Sequence, residues 1–159
     1  MYISSPILLI GIGNEYRGDD SIGLNVIRAL KARKLPDTLL IESSGGAELI
    51  EMLSSVRIAI LIDAVSSGGK PGAIYRFDAL TQPIPAQLSF QSTHVFGVAE
   101  AIELARILDL LPPSLTVYAI EGENFSPGVG LSSRAREAVQ KVVEQVSCEV
   151  QDIVRDSIG

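Results

Sequence analysis

Short, wholly apolar runs that alternate with stretches of helical periodicity are the feature that most constrains the fold of this chain. Ile7–Ile10 and Ile58–Ile62 contain no polar residue, and Gly11 closes the first of them. Runs of this kind are typical of strands buried on both faces of a parallel sheet. Between them, apolar residues recur at helical spacing: Ile22, Val26, Ala29 and Leu30. Strands and helices that alternate in this way predict an α/β domain.

The alternation continues along the chain. Three further strands are predicted: Thr38–Ile41, Gly72–Phe77 and Leu115–Ile120. The middle one alternates in polarity, which is typical of an edge strand. Three further helices are predicted: Ala47–Leu53, about Val95 to Leu108, and a last helix after Ser133.

These elements predict a single domain over residues 1–159, with a mostly parallel twisted sheet and helices on both faces. In such folds, ligands bind beyond the carboxyl ends of the strands. We therefore expect a site in the loops after residues 10, 41, 62 and 120.

Charge and composition exclude several classes of protein. The 159 residues have a net charge of −6 and 13 scattered basic residues, whereas nucleic-acid binding requires clustered Lys and Arg. No apolar run approaches the roughly 20 residues of a membrane span. The N-terminus lacks the basic region of a signal peptide. We expect a cytoplasmic monomer that binds neither nucleic acid nor membrane.

The single cysteine, Cys148, lies in a Val-rich segment of the last predicted helix. One cysteine can form neither an internal disulfide nor a multi-cysteine metal site. A free cysteine in such a segment is expected to be a small buried hydrophobic residue, which disfavours a catalytic dyad of Cys148 with His94.

The glycine-rich segment Gly11–Gly23 follows the first strand and opens the first helix. It lacks the spacing of a dinucleotide-binding loop, because Tyr16 stands where the third glycine would be. Asp19 and Asp20 would also place negative charge where a pyrophosphate binds. One of these two carboxylates can cap the helix N-terminus, which leaves the other available at the edge of the sheet.

Two further residues that could act in catalysis or metal binding lie at the ends of predicted strands or helices. Asp63 ends the apolar run of the third strand and is expected to be partly buried, where a carboxylate needs a hydrogen-bonding partner or a cation. His94 is the only histidine and precedes a helix that Ser92 or Thr93 can cap. The helix dipole there favours the neutral, metal-binding imidazole, while a structural hydrogen bond is the alternative role.

Asp20, Asp63 and His94 together would make an oxygen-rich, incomplete site for a borderline divalent cation, if their loops meet. Three ligands with open positions are typical of a catalytic site. The chain has no H-E-x-x-H zinc motif and no G-x-S-x-G nucleophile elbow. An aspartic-type pair, in which Asp20 and Asp63 share a proton, is the other hydrolytic possibility, and the histidine favours metal binding over it.

The loop and strand ends described above resemble those of the hydrogenase maturation protease family. The matching residues run along nearly the whole chain: Gly11–Asn14, Asp19, Asp20, Ile22–Gly23, Leu61–Ala64, His94 and Gly128–Ser132. The resemblance implies a three-layer α/β/α sandwich of the phosphorylase/hydrolase-like type with a five-stranded sheet.

The same resemblance implies a function. Proteases of this family remove the C-terminal extension from the nickel-loaded large subunit of a nickel-iron hydrogenase, and they hold no permanent metal or cofactor. The nickel belongs to the substrate and is bound by residues at the positions of Asp20, Asp63 and His94. Because the family has no conventional nucleophile, the implied mechanism is either aspartic-type or metal-assisted.

Two other interpretations remain. Peptidyl-tRNA hydrolases also begin with a strand and Gly-x-Gly-Asn, but this chain lacks their following Pro-Gly and His-Asn pairs and their basic surface. A nickel-checkpoint chaperone that binds immature hydrogenase without cutting it is compatible with the same residues. Many relatives have an Asp-Gly-Gly-Thr-like loop where this chain has Glu42–Gly46, and this difference bears on which hydrogenase is processed.

Overall fold

The computed structural model of the protein describes residues 6–85 and 97–158. Within these residues, five strands form one sheet: β1 (Ile7–Ile12), β2 (Thr38–Ser43), β3 (Ile58–Val65), β4 (Ile74–Asp78) and β5 (Ser114–Glu121). The strand order is β2-β1-β3-β5-β4, in which β4 is antiparallel to β5 and the other neighbours are parallel. The expected mostly parallel, five-stranded sheet is confirmed.

The helices of the described segments cover both faces of the sheet: α1 (Ile22–Lys31), α2 (Glu48–Ser54), α3 (Val98–Ile107) and α4 (Ser133–Ile158). One hydrophobic core, which includes Leu9 and Ile27, lies between the sheet and the pair α1 and α4. The other core, which includes Leu8 and Leu53, lies under α2 and α3. Since successive residues of β1 face opposite cores, the fold is the predicted three-layer α/β/α sandwich.

The strands are longer than the apolar runs that predicted them. Pairing between β1 and β2 extends to Ile12 and Ser43, two residues beyond each predicted end. β3 continues to Val65, so Asp63 lies inside the strand and not after it. Polar residues can extend these strands because the hydrogen-bonding ladder depends on the backbone and not on side-chain polarity.

The start of α3 differs from the prediction. The helix begins at Val98, three residues after the predicted start at Val95, and Gly97 in an extended conformation is its N-cap. Ser92 and Thr93, the predicted capping residues, lie outside the described residues. Glycine is an acceptable N-cap because its small size leaves the first amide groups open to other partners.

α4 differs from the prediction at its cysteine. Cys148 is exposed, so its interpretation as a buried core residue was wrong. The core-facing positions of this helix are fully buried and recur at helical spacing: Val142, Val146 and Val150. Position 148 falls on the other side of the helix. Although α4 has 26 residues, neither it nor any other helix in residues 6–85 and 97–158 is both long and apolar enough to cross a membrane.

Two glycines bring α1 into direct contact with the sheet. A Cβ atom on Gly23 would lie 2.4 Å from the carbonyl oxygen of Ile62 and 2.5 Å from that of Ile12. A Cβ atom on Gly11 would lie 2.2 Å from the carbonyl oxygen of Gly23. Because only glycine allows this approach, the first turn of α1 rests on β1 and β3, next to Asp63.

Candidate active site

Asp20 and Asp63 reach the carboxyl edge of the sheet from different elements. Asp20 belongs to a 3-10 turn, Gly18–Ser21, between the loop after β1 and the start of α1. Asp63 lies in β3, which is the neighbour of β1. Both residues are almost fully buried, with exposures of 2% and 1%. Since α1 rests on β3 at Ile62, the turn with Asp20 is brought to the strand with Asp63.

The loop after β1 folds back closely on Asp20. A Cβ atom on Gly13 would lie 2.0 Å from the carbonyl oxygen of Asp20, which leaves no room for any side chain. The N–H of Asn14 donates a hydrogen bond of 3.2 Å to that same oxygen. The glycine is therefore required for the backbone to hold Asp20 at the end of β1.

The Asp63 carboxylate has an unusually poor hydrogen-bonding environment. Its Oδ1 accepts a hydrogen bond of 2.8 Å from the N–H of Ala64, and no group in the described segments donates to Oδ2. Burial and, to a lesser extent, the negative charge of Asp20 raise the pKa of Asp63 well above its ordinary value, against the lowering effect of the Ala64 hydrogen bond. Ionised Asp63 is thus costly in this place.

Asp20 and Asp63 lie near each other, since the 3-10 turn that contains Asp20 contacts β3, and the charge of Asp20 contributes to the raised pKa of Asp63. Two buried carboxylates that lie close together can be accommodated in two ways. One carboxyl group can keep a proton, or a cation can bind between the two. The geometry of the pair is compatible with both the aspartic-type and the metal-assisted alternatives.

The predicted third member of the site, His94, lies outside the described residues. Within residues 6–85 and 97–158, no three His, Cys, Asp or Glu side chains are arranged to bind a metal ion. The metal-binding and catalytic roles of Asp20, Asp63 and His94 therefore stay a prediction, and only Asp20 and Asp63 lie in the described residues.

Asp19 does not have the capping role that the sequence suggested. The N-cap of α1 is Ser21, and no side chain caps either α1 or the preceding 3-10 turn. The prediction that Asp19 or Asp20 caps the first helix was therefore wrong. The physical reason is the 3-10 turn itself, which moves both acids ahead of the helix. The Asp19 carboxylate instead accepts hydrogen bonds from the loop before α4, at Glu123, Asn124 and Ser132.

A cleft of about 380 Å³ opens beside the loop that leads to Asp20. It is lined by residues of that loop, of α1 and of the end of β2, including Tyr16, Arg28 and Glu42. The Arg28 guanidinium donates hydrogen bonds of 2.8 Å to Glu42 and 3.1 Å to Glu15, and the first of these lowers the pKa of Glu42. The divergent segment at the end of β2 thus forms one wall of a cleft next to the candidate site.

Comparison with known proteins assigns the chain to a family. The family model HycI, described as hydrogenase maturation protease, matches residues 24–149. The chain belongs to the hydrogenase maturation protease family. The match extends from α1 into α4, and so it includes Asp63 and four of the five strands. Membership of this family removes the peptidyl-tRNA hydrolase alternative.

Relatives of this hydrogenase maturation protease align with it over nearly its full length. The hydrogenase 2 maturation protease of Escherichia coli (strain K12) is 28% identical over 151 residues, which cover 92% of this chain and 91% of that protein. The structure of the hydrogenase-maturating endopeptidase HybD from E. coli superimposes with a TM-score of 0.72 at 26% identity, covering 92% of this chain and 93% of HybD.

A more distant structure has the same fold. The nickel-iron hydrogenase maturation protease HycI from Thermococcus kodakarensis superimposes with a TM-score of 0.71 at 23% identity, and 92% of each chain is covered. The α/β architecture of this hydrogenase maturation protease is therefore shared by family members whose sequences have diverged widely.

Glu121, another buried acid at the carboxyl edge of the sheet, was missed by the sequence analysis. Glu121 ends β5 and is only 2% exposed. Its carboxylate accepts hydrogen bonds from the N–H and the hydroxyl of Ser67, and from the hydroxyl of Tyr75 at 3.5 Å. The signal that identified Asp63, an acid at the end of an apolar run, is present here also: Ala119 and Ile120 precede it. Its partners show that Glu121 fastens the loop after β3.

Proposed function

We propose that this hydrogenase maturation protease is a cytoplasmic endopeptidase that removes the C-terminal extension from the nickel-loaded large-subunit precursor of a nickel-iron hydrogenase. Asp20, Asp63 and His94 bind the nickel that the precursor carries. The metal is thus part of the substrate, and the protein holds no permanent metal or cofactor. The names of its E. coli relatives, a hydrogenase 2 maturation protease and a hydrogenase-maturating endopeptidase, support this assignment.

One observation supports the binding of a cation that the substrate supplies. Asp63 is 1% exposed, its Oδ2 accepts no hydrogen bond from any described residue, and its pKa is raised by burial and by Asp20. A fold does not usually retain a buried carboxylate in this condition unless something else compensates for its charge. A divalent cation that arrives with the substrate provides that compensation.

The chemistry follows from the charges of the site. Nickel supplies positive charge that polarises the scissile carbonyl group or activates a water molecule. Asp63 releases its proton when it becomes a ligand, since a coordinating carboxylate must be ionised. Asp20 supplies the second carboxylate, and His94 supplies a neutral nitrogen. A precursor without nickel brings no cation that can displace the proton of Asp63 and bind between the two acids, so we expect it to bind unproductively.

The proposal is tested with hydrogenase large-subunit precursor in its nickel-loaded and nickel-free forms. Each form is incubated with the protein, and release of the C-terminal fragment is followed by mass spectrometry. We expect release from the loaded form only. Release at equal rates from both forms would contradict a role for nickel, and binding of the loaded form without any fragment would identify a non-cleaving chaperone instead.

Variants separate the contribution of each proposed ligand. Asp20→Asn and His94→Gln remove a ligand while preserving side-chain size, and we expect either variant to lower fragment release at least about 100-fold. Asp109→Asn is the matched control, because Asp109 is exposed and has a positive φ of 57°, a conformation that Asn tolerates well. Fragment release by His94→Gln at the control rate would eliminate the three-ligand site.

A further inference from the structure

The loop between β5 and α4 is held against the turn that contains Asp20, and Asp19 is the residue that holds it. Asp19 is completely buried. Its Oδ2 accepts hydrogen bonds from the N–H groups of Glu123 and Asn124, at 2.8 and 3.2 Å, and from the hydroxyl of Ser132 at 2.7 Å. Its Oδ1 accepts one of 2.8 Å from the N–H of Ser132. One carboxylate thus joins both ends of a loop that is more than 100 residues away in sequence.

Backbone contacts reinforce this junction on either side of Asp19. The N–H of Asp19 donates to the carbonyl oxygen of Asn124 at 2.8 Å, and the N–H of Gly128 donates to that of Tyr16 at 2.9 Å. Gly18 has a φ of +53°, and a Cβ atom there would lie 2.3 Å from the carbonyl oxygen of Asn124. The loop therefore holds the backbone of residues 16–19 at both of its ends.

Asp20 follows directly in the same 3-10 turn. Its N–H donates to the carbonyl oxygen of Arg17 at 3.0 Å, and the hydroxyl of Ser21 donates to that of Gly18 at 2.8 Å. The turn is therefore internally braced, so a displacement of Asp19 would displace Asp20. The two adjacent acids have opposite partners, since Asp19 contacts the loop before α4 whereas Asp20 acts on Asp63 in β3.

We propose that Asp19 is a positioning residue for the processing reaction. Its carboxylate locks the loop between β5 and α4 onto the turn Gly18–Ser21 and thereby holds Asp20 where it can share a cation with Asp63. Asp19 itself contacts neither the substrate nor the nickel. The inference rests on the proposed function, because the position of Asp20 matters for cleavage only if Asp20 binds the nickel of the precursor.

Glu121 offers a matched control for the alternative, in which Asp19 only stabilises the fold. Both residues are buried carboxylates at the carboxyl edge of the sheet, and both accept hydrogen bonds that tie down a loop. The partners of Glu121 belong to the loop after β3 and to β4, and they include no residue of the turn that contains Asp20. Asp19→Asn and Glu121→Gln therefore make the same chemical change in two places, only one of which is joined to Asp20.

The experiment measures kcat and KM for nickel-loaded precursor, at a temperature where circular dichroism shows each variant to be folded. We expect Asp19→Asn to lower kcat by about tenfold or more and to change KM by less than about twofold, because a small misplacement of a reacting group lowers the rate of the chemical step. Glu121→Gln should leave both constants unchanged. A folded Asp19→Asn variant with normal kcat, or equal losses in both variants, would overturn the proposal.

A second variant and a second measurement keep the test decisive. If Asp19→Asn does not fold, Ser132→Ala removes one of the four hydrogen bonds to Asp19, together with the cap on the N–H of Ala135. We expect it to lower kcat about two- to fivefold with an unchanged KM; an unchanged kcat would contradict the proposal. Crystal structures of either variant should show the Asp20 carboxylate moved by about 1 Å relative to Asp63. An unmoved Asp20 would overturn the positioning role of Asp19. Failure of the wild-type protein to release any fragment would instead refute the proposed function and would leave this structural test valid.

Discussion

Asp19 and Asp63 are two buried acids at the same edge of the sheet, and the protein treats them in opposite ways. Asp19 accepts four hydrogen bonds, which join the turn before α1 to the loop before α4. Asp63 accepts one hydrogen bond within the described residues and is opposed by Asp20, which is held beside it. The Asp19 carboxylate thus has donors for both of its oxygens, whereas Oδ2 of Asp63 accepts no hydrogen bond from the described residues.

The difference separates an acid whose hydrogen bonds stabilise the fold from one whose burial opposes its ionisation. Asp19 accepts hydrogen bonds from several backbone N–H groups, so its burial can contribute to stability. A buried carboxylate that lacks such donors destabilises the fold when it ionises, so Asp63 is expected to reduce stability at neutral pH. Residues that reduce stability in this way are concentrated at functional sites.

The largest expected effect on stability comes from substitution of Asp19. Asp19→Ala removes the acceptor of the N–H groups of Glu123, Asn124 and Ser132 and leaves a cavity at a completely buried position, so we expect the free energy of unfolding to fall by about 3–5 kcal/mol. Urea unfolding followed by circular dichroism measures this difference. A loss below about 1 kcal/mol would mean that the loop finds other partners, and the contrast with Asp63 would disappear.

Asp63→Asn should change the free energy of unfolding in the opposite direction, towards greater stability. The amide keeps an oxygen for the N–H of Ala64 and removes the charge that burial and Asp20 both oppose. We expect a gain of about 1–3 kcal/mol at neutral pH, the scale of one uncompensated buried polar group. The same unfolding measurement applies, with Asp109→Asn as the exposed control. A loss of stability would show that Asp63 is compensated in the free protein.

The pH dependence of stability sharpens the same contrast. Because the pKa of Asp63 is raised in the folded state, the unfolded chain loses this proton first as pH rises. The contribution of Asp63 to stability is therefore fully present below the ordinary carboxyl pKa of about 4 and is lost as pH rises through the higher folded-state value. The difference in unfolding free energy between wild type and Asp63→Asn should grow over that interval. A difference that is constant with pH would contradict the raised pKa.

The smallest expected effect concerns Ser132, whose hydroxyl both donates to Asp19 and accepts a hydrogen bond of 3.2 Å from the N–H of Ala135. Ser132→Ala removes a helix cap and one of the four Asp19 hydrogen bonds. We expect a loss of about 1–2 kcal/mol, clearly smaller than that of Asp19→Ala. If the two variants lose equal stability in urea unfolding, the carboxylate contributes nothing beyond this one hydroxyl.

Local patterns predicted the fold, and they also singled out Asp63 as a buried acid at the carboxyl edge of the sheet. The apolar runs of β1 and β3 specify buried parallel strands, and the acid at the end of an apolar run identifies Asp63. Cys148 could also have been placed correctly, since the spacing of Val142, Val146 and Val150 already defines the buried face of α4. The 3-10 turn that moves Asp19 and Asp20 ahead of α1 has no comparably strong local pattern.

The partners of Asp19 could not be predicted from the sequence. The three residues that donate to it lie 104–113 positions away, and they meet it only because β5 takes its place beside β3 in the finished sheet. The same loop supplies the backbone contacts at Gly18, whose positive φ is local but whose neighbour Asn124 is not. Contacts of this kind depend on strand order, which a single sequence does not specify.

The central claim is that the negative charge of ionised Asp63 is compensated by a cation that the substrate brings. Its most direct test is the rate of fragment release from nickel-loaded precursor by Asp63→Asn, compared with wild type under conditions where both are folded. The account predicts a variant that is more stable than wild type and yet at least about 100-fold slower. A stable Asp63→Asn variant that releases the fragment within about twofold of the wild-type rate would contradict it.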